Sequence, residues 1–143
     1  RDPSKTLGSF LSMVAHGHGM FSDSPDPLEI GCRWNRKCLR MVQRGMEVRA
    51  GLPAGEDRKR FLDVQFADLV GDTMAALERI YTFAGIEFDA EAKKSAADRL
   101  AGHGRYRYGR HVYNLADFGS STAEVRKDYA EYIRQYRIPL EGE

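Results

Sequence analysis

The stretch Arg1-Asp2-Pro3-Ser4-Lys5-Thr6-Leu7-Gly8-Ser9 decides how this chain is read. An Asp at a helix N-cap accepts from the first orphan backbone N–H groups. A Pro fits the first helical turn, where its missing N–H is not needed. A helix is therefore predicted from these residues to about Ala15. Leu7, Phe10, Leu11 and Val14 share its apolar face, while Lys5, Ser9 and Ser12 fall on the opposite side. Arg1 then stands just ahead of a helix N-terminus, and Ser9 stands on that helix's second turn. A guanidinium presents a planar fork matched to phosphate oxygens, a hydroxyl adds a donor, and the helix end adds a favourable partial charge. Charge-assisted bonds of this kind contribute about 1.5–3 kcal/mol each. Taken alone, the pair reads more simply as a surface Arg beside a surface Ser. Arg1 opens the sequence without an initiator Met or a charged-then-apolar leader, so an upstream half is expected to have been cut away.

Working outward, Gly17 to Ser24 reads as loop. Asp26-Pro27 repeats the cap-and-Pro pair, with Glu29 suited to the helix dipole. A long helix is predicted to about Ala50, with Leu28, Cys32, Leu39, Val42 and Met46 as its inner stripe, interrupted by Asn35. Arg33, Arg36, Lys37, Arg40 and Arg44 form its wet face. Phe61-Leu62-Asp63-Val64-Gln65-Phe66 is the one good strand candidate. Asp72 or Thr73 caps a helix that ends at Gly85, and Asp89 caps another to about Ala101. Gly102 to Gly119 is irregular. Ser121-Thr122-Ala123-Glu124 is a capping box, and its helix turns Val125, Tyr129, Tyr132, Ile133 and Tyr136 toward a core.

A length of 143 residues fits a single domain over residues 1–143. The chain is 42% hydrophobic and 30% charged, an ordinary globular balance. A net charge of +1 supplies no bulk field for nucleic acid or anionic membrane. No apolar run approaches the roughly 20 residues of a membrane span. Cys32 and Cys38 are read as buried reduced thiols, consistent with a cytoplasmic protein. His16 and His18 lack further ligands at convincing spacing, so they are read as histidines meeting the negative end of a helix dipole, and no metal is expected. Trp34, Met41 and Met46 are read as core.

A second basic constellation is Gly104-Arg105-Tyr106-Arg107-Tyr108-Gly109-Arg110-His111. Arginines interleaved with tyrosines between glycines suit a loop that closes over a phosphate, or one that stacks on bases. A solvated loop whose tyrosines pack on the core is the competing reading.

Together these features resemble the C-terminal half of sulfotransferases that use 3′-phosphoadenosine 5′-phosphosulfate, most like the actinobacterial members. The family places an Arg at a strand end and a Ser eight residues later on the donor's 3′-phosphate, the spacing of Arg1 and Ser9. Phe66-Ala67-Asp68-Leu69, followed by Phe83-Ala84-Gly85, is similar to its aromatic-Glu-Asp-Leu segment and the Phe-x-Gly that follows. Arg107-Tyr108-Gly109 with Phe118 keeps the gap of its Arg-Lys-Gly triplet. Tyr113-x-Leu115-x-Asp117-Phe118-Gly119 is like the bacterial tail.

The resemblance implies an α/β, P-loop nucleotide-kinase-like fold, present here as a mostly helical C-terminal portion with one clear strand. It implies a sulfuryl transfer from 3′-phosphoadenosine 5′-phosphosulfate to an acceptor hydroxyl or amine, without a metal. Arg1, Ser9, Phe66, Arg107, Gly109 and Arg110 are the implied donor-binding residues. Phe66 lacks the hydroxyl of the usual Tyr, and Tyr108 replaces the triplet's Lys. The 5′-phosphosulfate loop and the usual catalytic base are expected upstream of Arg1, so no catalytic residue is assigned. The expected partner is a small alcohol, carbohydrate or lipid acceptor, with no nucleic acid. Homo-oligomerisation or pairing with a preceding segment stays open. A P-loop kinase relative and a non-catalytic helical module binding RNA or protein are the rival readings. Arg107→Ala is expected to weaken binding of a 3′-phosphonucleotide by about 1.5–3 kcal/mol. An unchanged affinity in a calorimetric titration would count against that assignment.

Overall fold

The computed structural model describes residues 1–102 and 112–142. The chain divides into two compact units, one from Arg1–Leu52 with His111–Glu143 and the other from Pro53–Arg110. Among the described residues the regular structure is entirely helical.

The first unit is built on two long helices, α1 (Pro3–Gly19) and α2 (Pro27–Ala50). Asp2 Oδ1 accepts the Ser4 N–H at 2.9 Å, and Asp26 Oδ1 accepts the Leu28 N–H at 2.9 Å, so both caps form as their sequence indicates. The first helix runs past Ala15 through His16-Gly17-His18-Gly19. Its end is closed by the Met20 N–H on the Gly17 carbonyl and the Phe21 N–H on the His18 carbonyl. A short 3₁₀ turn (Leu115–Phe118), α7 (Thr122–Asp128) and α8 (Ala130–Gln135) complete this unit; the third to sixth helices belong to the second unit. Ser121 Oγ accepts the Glu124 N–H at 3.2 Å and donates to the Glu124 carboxylate at 2.9 Å, a reciprocal local cap.

Leu7, Leu11, Ile30, Leu115, Phe118, Val125 and Tyr129 form the core of the unit. Burying each large aliphatic side chain contributes about 1.5–3 kcal/mol. The inner face of α2 differs from the expected stripe at its N-terminal end. Ile30 and Gly31 are buried, whereas Leu28 is 57% exposed and Cys32 is exposed. The reason is steric. A Cβ on Gly31 would lie 2.0 Å from the Phe118 carbonyl oxygen, so α2 meets the 115–118 turn at a residue without a side chain. Gly8 performs the same role in α1, where a Cβ would lie 2.6 Å from the Tyr113 ring. Cys32 is thus not a buried thiol, and Met41, 72% exposed, is not core. Cys38 and Trp34 do pack against the core. Asn35 interrupts the stripe because its Nδ2 donates to Asp128 across to α7, at 3.2 Å.

The second unit holds α3 (Glu56–Arg60), α4 (Phe66–Gly71), α5 (Thr73–Ala84) and α6 (Ala90–Gly102). The Asp72 cap, the left-handed Gly85 and the Asp89 cap all stand where the sequence put them. Phe61–Phe66 does not form the expected strand. Phe61 and Gln65 have extended backbone, but residues 61–65 belong to no ladder, and Phe66 begins α4. A strand exists only by pairing its N–H and C=O groups with a neighbour. The backbone of Gln65 instead receives the Leu69 N–H at 3.1 Å, which winds Phe66 into a helix.

One polar cluster ties the ends of the first unit together. The Asp2 side chain is fully buried and accepts five hydrogen bonds. They come from the Ser4 N–H and hydroxyl, from Arg126 Nε (3.2 Å) and Nη2 (2.6 Å), and from the Glu141 N–H (3.0 Å). Burial alone pushes this carboxyl up; the bonds from Arg126, Ser4 and Glu141 outweigh it and bring the group down to about 2. An unfolded Asp titrates near roughly 3.9, so the pairing contributes about 2.5 kcal/mol above that pH. The folded value is depressed, so this contribution is complete at neutral pH. It falls away as the pH drops toward 2.

Gly31→Ala is expected to destabilise by about 1–3 kcal/mol or more, because backbone must move. Gly45→Ala, in the same helix with nothing near its Cβ position, is expected to stabilise by about 0.5–1 kcal/mol. Urea unfolding of both variants checks the pair. Arg126→Met is expected to cost about 3–5 kcal/mol at neutral pH by stranding a buried carboxylate. Its deficit relative to the parent should shrink as acid neutralises Asp2. Unfolding curves that stay parallel from neutral pH to about pH 2 would refute the pairing's contribution.

Candidate functional site

Arg1 is placed by the cluster just described. It precedes the capped start of α1, whose first turn holds no acidic residue. Its Nε donates to Glu141 Oε1 at 2.9 Å and its Nη2 to Glu141 Oε2 at 3.0 Å, a bidentate fork. Each of the two side chains is 34% exposed, so the pair is partly sheltered without being desolvated. The hydrogen bond from Arg1 holds the Glu141 carboxyl below its ordinary range, and the same bond raises Arg1. The backbone of Glu141 is fixed too. Its N–H donates to Asp2, and its carbonyl accepts Arg126 Nη2 at 2.6 Å. The chain's two ends are thereby joined around the head of α1.

A cavity of about 230 Å³ opens beside Arg1 between α1, α2 and α8. Thr6, Phe10, Cys38, Tyr129 and Tyr132 contribute to its wall. Its lining is largely apolar, and Phe10 meets the Trp34 ring edge-on at 5.4 Å. Burial pushes both the Tyr129 phenol and the Cys38 thiol up, so neither is ionised at neutral pH. Arg1 thus borders an apolar, partly aromatic wall whose own titratable groups are uncharged.

Ser9 lies exposed on α1, the helix that Arg1 precedes. Phe66, half-buried at the start of α4, belongs to the second unit. Arg105, Arg107, Gly109 and Arg110 lie outside the described residues. Exposed His16 and His18 sit in the last turn of α1, where the dipole reading put them. Among the described residues, no group of three or more His, Cys, Asp or Glu is placed to hold a metal ion. No helix described is long and apolar enough to cross a membrane.

Arg126 and Glu141 were not legible as site residues. Their partners lie 124 and 140 positions away, and neither sits in a local motif. Asp2 was read as a cap, which it is. Its second carboxylate oxygen, which receives Arg126 and Glu141, left no mark in the sequence.

Comparison with known proteins places this geometry in a family. The model described as the sulfotransferase family matches residues 1–90, which include Arg1, Ser9 and Phe66. No curated protein matches the chain. Among solved structures the chain is similar to the sulfotransferase STF9 from Mycobacterium avium, with a TM-score of 0.83 and 25% identity. The match covers 100% of this chain and 36% of that one. The chain thus spans about a third of the length of that protein. The fold is the sulfotransferase fold, and the chain belongs to the sulfotransferase family.

Proposed function

We propose that the chain is the part of a sulfotransferase that holds the 3′-phosphate of 3′-phosphoadenosine 5′-phosphosulfate. The observation that carries this reading is the family match over residues 1–90, with Arg1 fixed at the head of a capped helix inside it. The residues fit such a group. Asp2 is answered by Arg126 and Glu141 by Arg1, so the head of α1 carries no uncompensated carboxylate to repel an anion. Phosphate at this place meets a guanidinium and the positive end of α1.

In the proposed reaction an acceptor oxygen or nitrogen bonds to sulfur as the bond from sulfur to the donor's bridging oxygen breaks. The acceptor proton passes to a base, and adenosine 3′,5′-bisphosphate leaves. Arg1, Ser9, Arg107, Gly109 and Arg110 grip the donor far from the sulfur. Such remote binding fixes orientation and so lowers the barrier without touching the reacting atoms. Phe66 offers a ring for the base of the nucleotide. The acceptor class is an alcohol, a carbohydrate or a lipid, the setting is cytoplasmic, and self-association or pairing with a preceding segment belongs to the same reading.

Calorimetric titration of the full protein tests this. Adenosine 3′,5′-bisphosphate is expected to bind tightly and ATP weakly. Arg1→Ala should weaken the bisphosphate by about 1.5–3 kcal/mol. Preference for ATP, or indifference to Arg1→Ala, would overturn the assignment in favour of a kinase-like or non-catalytic module.

A further inference from the structure

We infer that Glu141 is the positioning residue for Arg1, setting the direction in which its guanidinium meets an anionic ligand. The inference rests on the reading of Arg1 as the 3′-phosphate anchor. An arginine on a long side chain samples many rotamers, and a bidentate carboxylate removes that freedom by fixing the plane of the fork. Glu141 does this through two bonds of 2.9 and 3.0 Å.

Glu141 is itself held at both sides of its backbone, through the N–H on Asp2 at 3.0 Å and the carbonyl under Arg126 at 2.6 Å. Arg126 is held in turn by the fully buried Asp2. The order of support runs from a buried carboxylate to Arg126, to the backbone of Glu141, to the side chain of Glu141, and finally to Arg1. The pinned peptide groups keep the Glu141 side chain within reach of Arg1. Arg1 also contributes to the wall of the cavity between α1, α2 and α8.

The experiment uses the full protein and two probes, adenosine 3′,5′-bisphosphate and adenosine 5′-monophosphate, titrated calorimetrically. Glu141→Gln keeps the size and both backbone bonds while removing the charge and one acceptor. It is expected to lower the preference for the bisphosphate over the monophosphate by about tenfold, as loss of an orienting partner does elsewhere. Affinity for the monophosphate should not change. Glu141→Asp keeps the charge and should lose less.

Parallel weakening of both nucleotides would mean a merely structural role and would overturn the inference. So would an unchanged ratio, or tighter bisphosphate binding, which would make Glu141 a competitor of the phosphate. Arg1→Ala separates the two levels. If it collapses the preference while Glu141→Gln does not, only the positioning role fails. If Arg1→Ala itself leaves the preference intact, the phosphate-anchor reading fails.

Discussion

A buried carboxylate governs the first unit of this chain. Asp2 caps α1 with one oxygen and receives Arg126 and the Glu141 N–H with the other. A lone charge withdrawn from water in this way is destabilising by several kcal/mol. Five hydrogen bonds outweigh that penalty here, which is why the group titrates below an ordinary Asp despite complete burial. The arrangement has few tolerable variants, because removing any donor leaves the charge stranded. It therefore fixes where α1 begins, where α7 lies against it and where the C-terminal tail returns.

Function is built on that fixed point. Once the tail is tied to the head of α1, the Glu141 carboxylate accepts from both Nε and Nη2 of Arg1. The adjoining cavity has an aromatic wall and uncharged Tyr129 and Cys38, so the distinctive charge in its lining is Arg1. Under the proposed function this place holds the donor's 3′-phosphate, while transfer occurs at sulfur some distance away. The chain spans about a third of the Mycobacterium avium sulfotransferase it resembles.

Local chemistry was legible in the sequence and distant chemistry was not. The caps at Asp2, Asp26, Asp72 and Asp89, the stop at Gly85 and the box at Ser121 each involve neighbours a few residues apart. Their geometry is decided by the same residues that signal it. The alternation in Phe61–Phe66 signalled a strand, yet strand formation depends on a partner that the pattern itself cannot specify. The inner face of α2 was misjudged at Leu28 and Cys32 because hydropathy favours large side chains. The packing there turned on closeness, which selected Gly31. Arg1 and Ser9 were paired through the spacing of the family they resemble, and their joint role belongs to the proposed function. The residues that hold Arg1 were not legible, since Arg126 and Glu141 are brought to it only by the tertiary fold.

The most direct measurement is a crystal structure of the protein with adenosine 3′,5′-bisphosphate bound. The 3′-phosphate is expected within hydrogen-bonding distance, about 3 Å, of the Arg1 guanidinium, with Glu141 still on the opposite edge of the fork. A nucleotide seated elsewhere, with Arg1 and Glu141 closed on each other and remote from every phosphate, would contradict it.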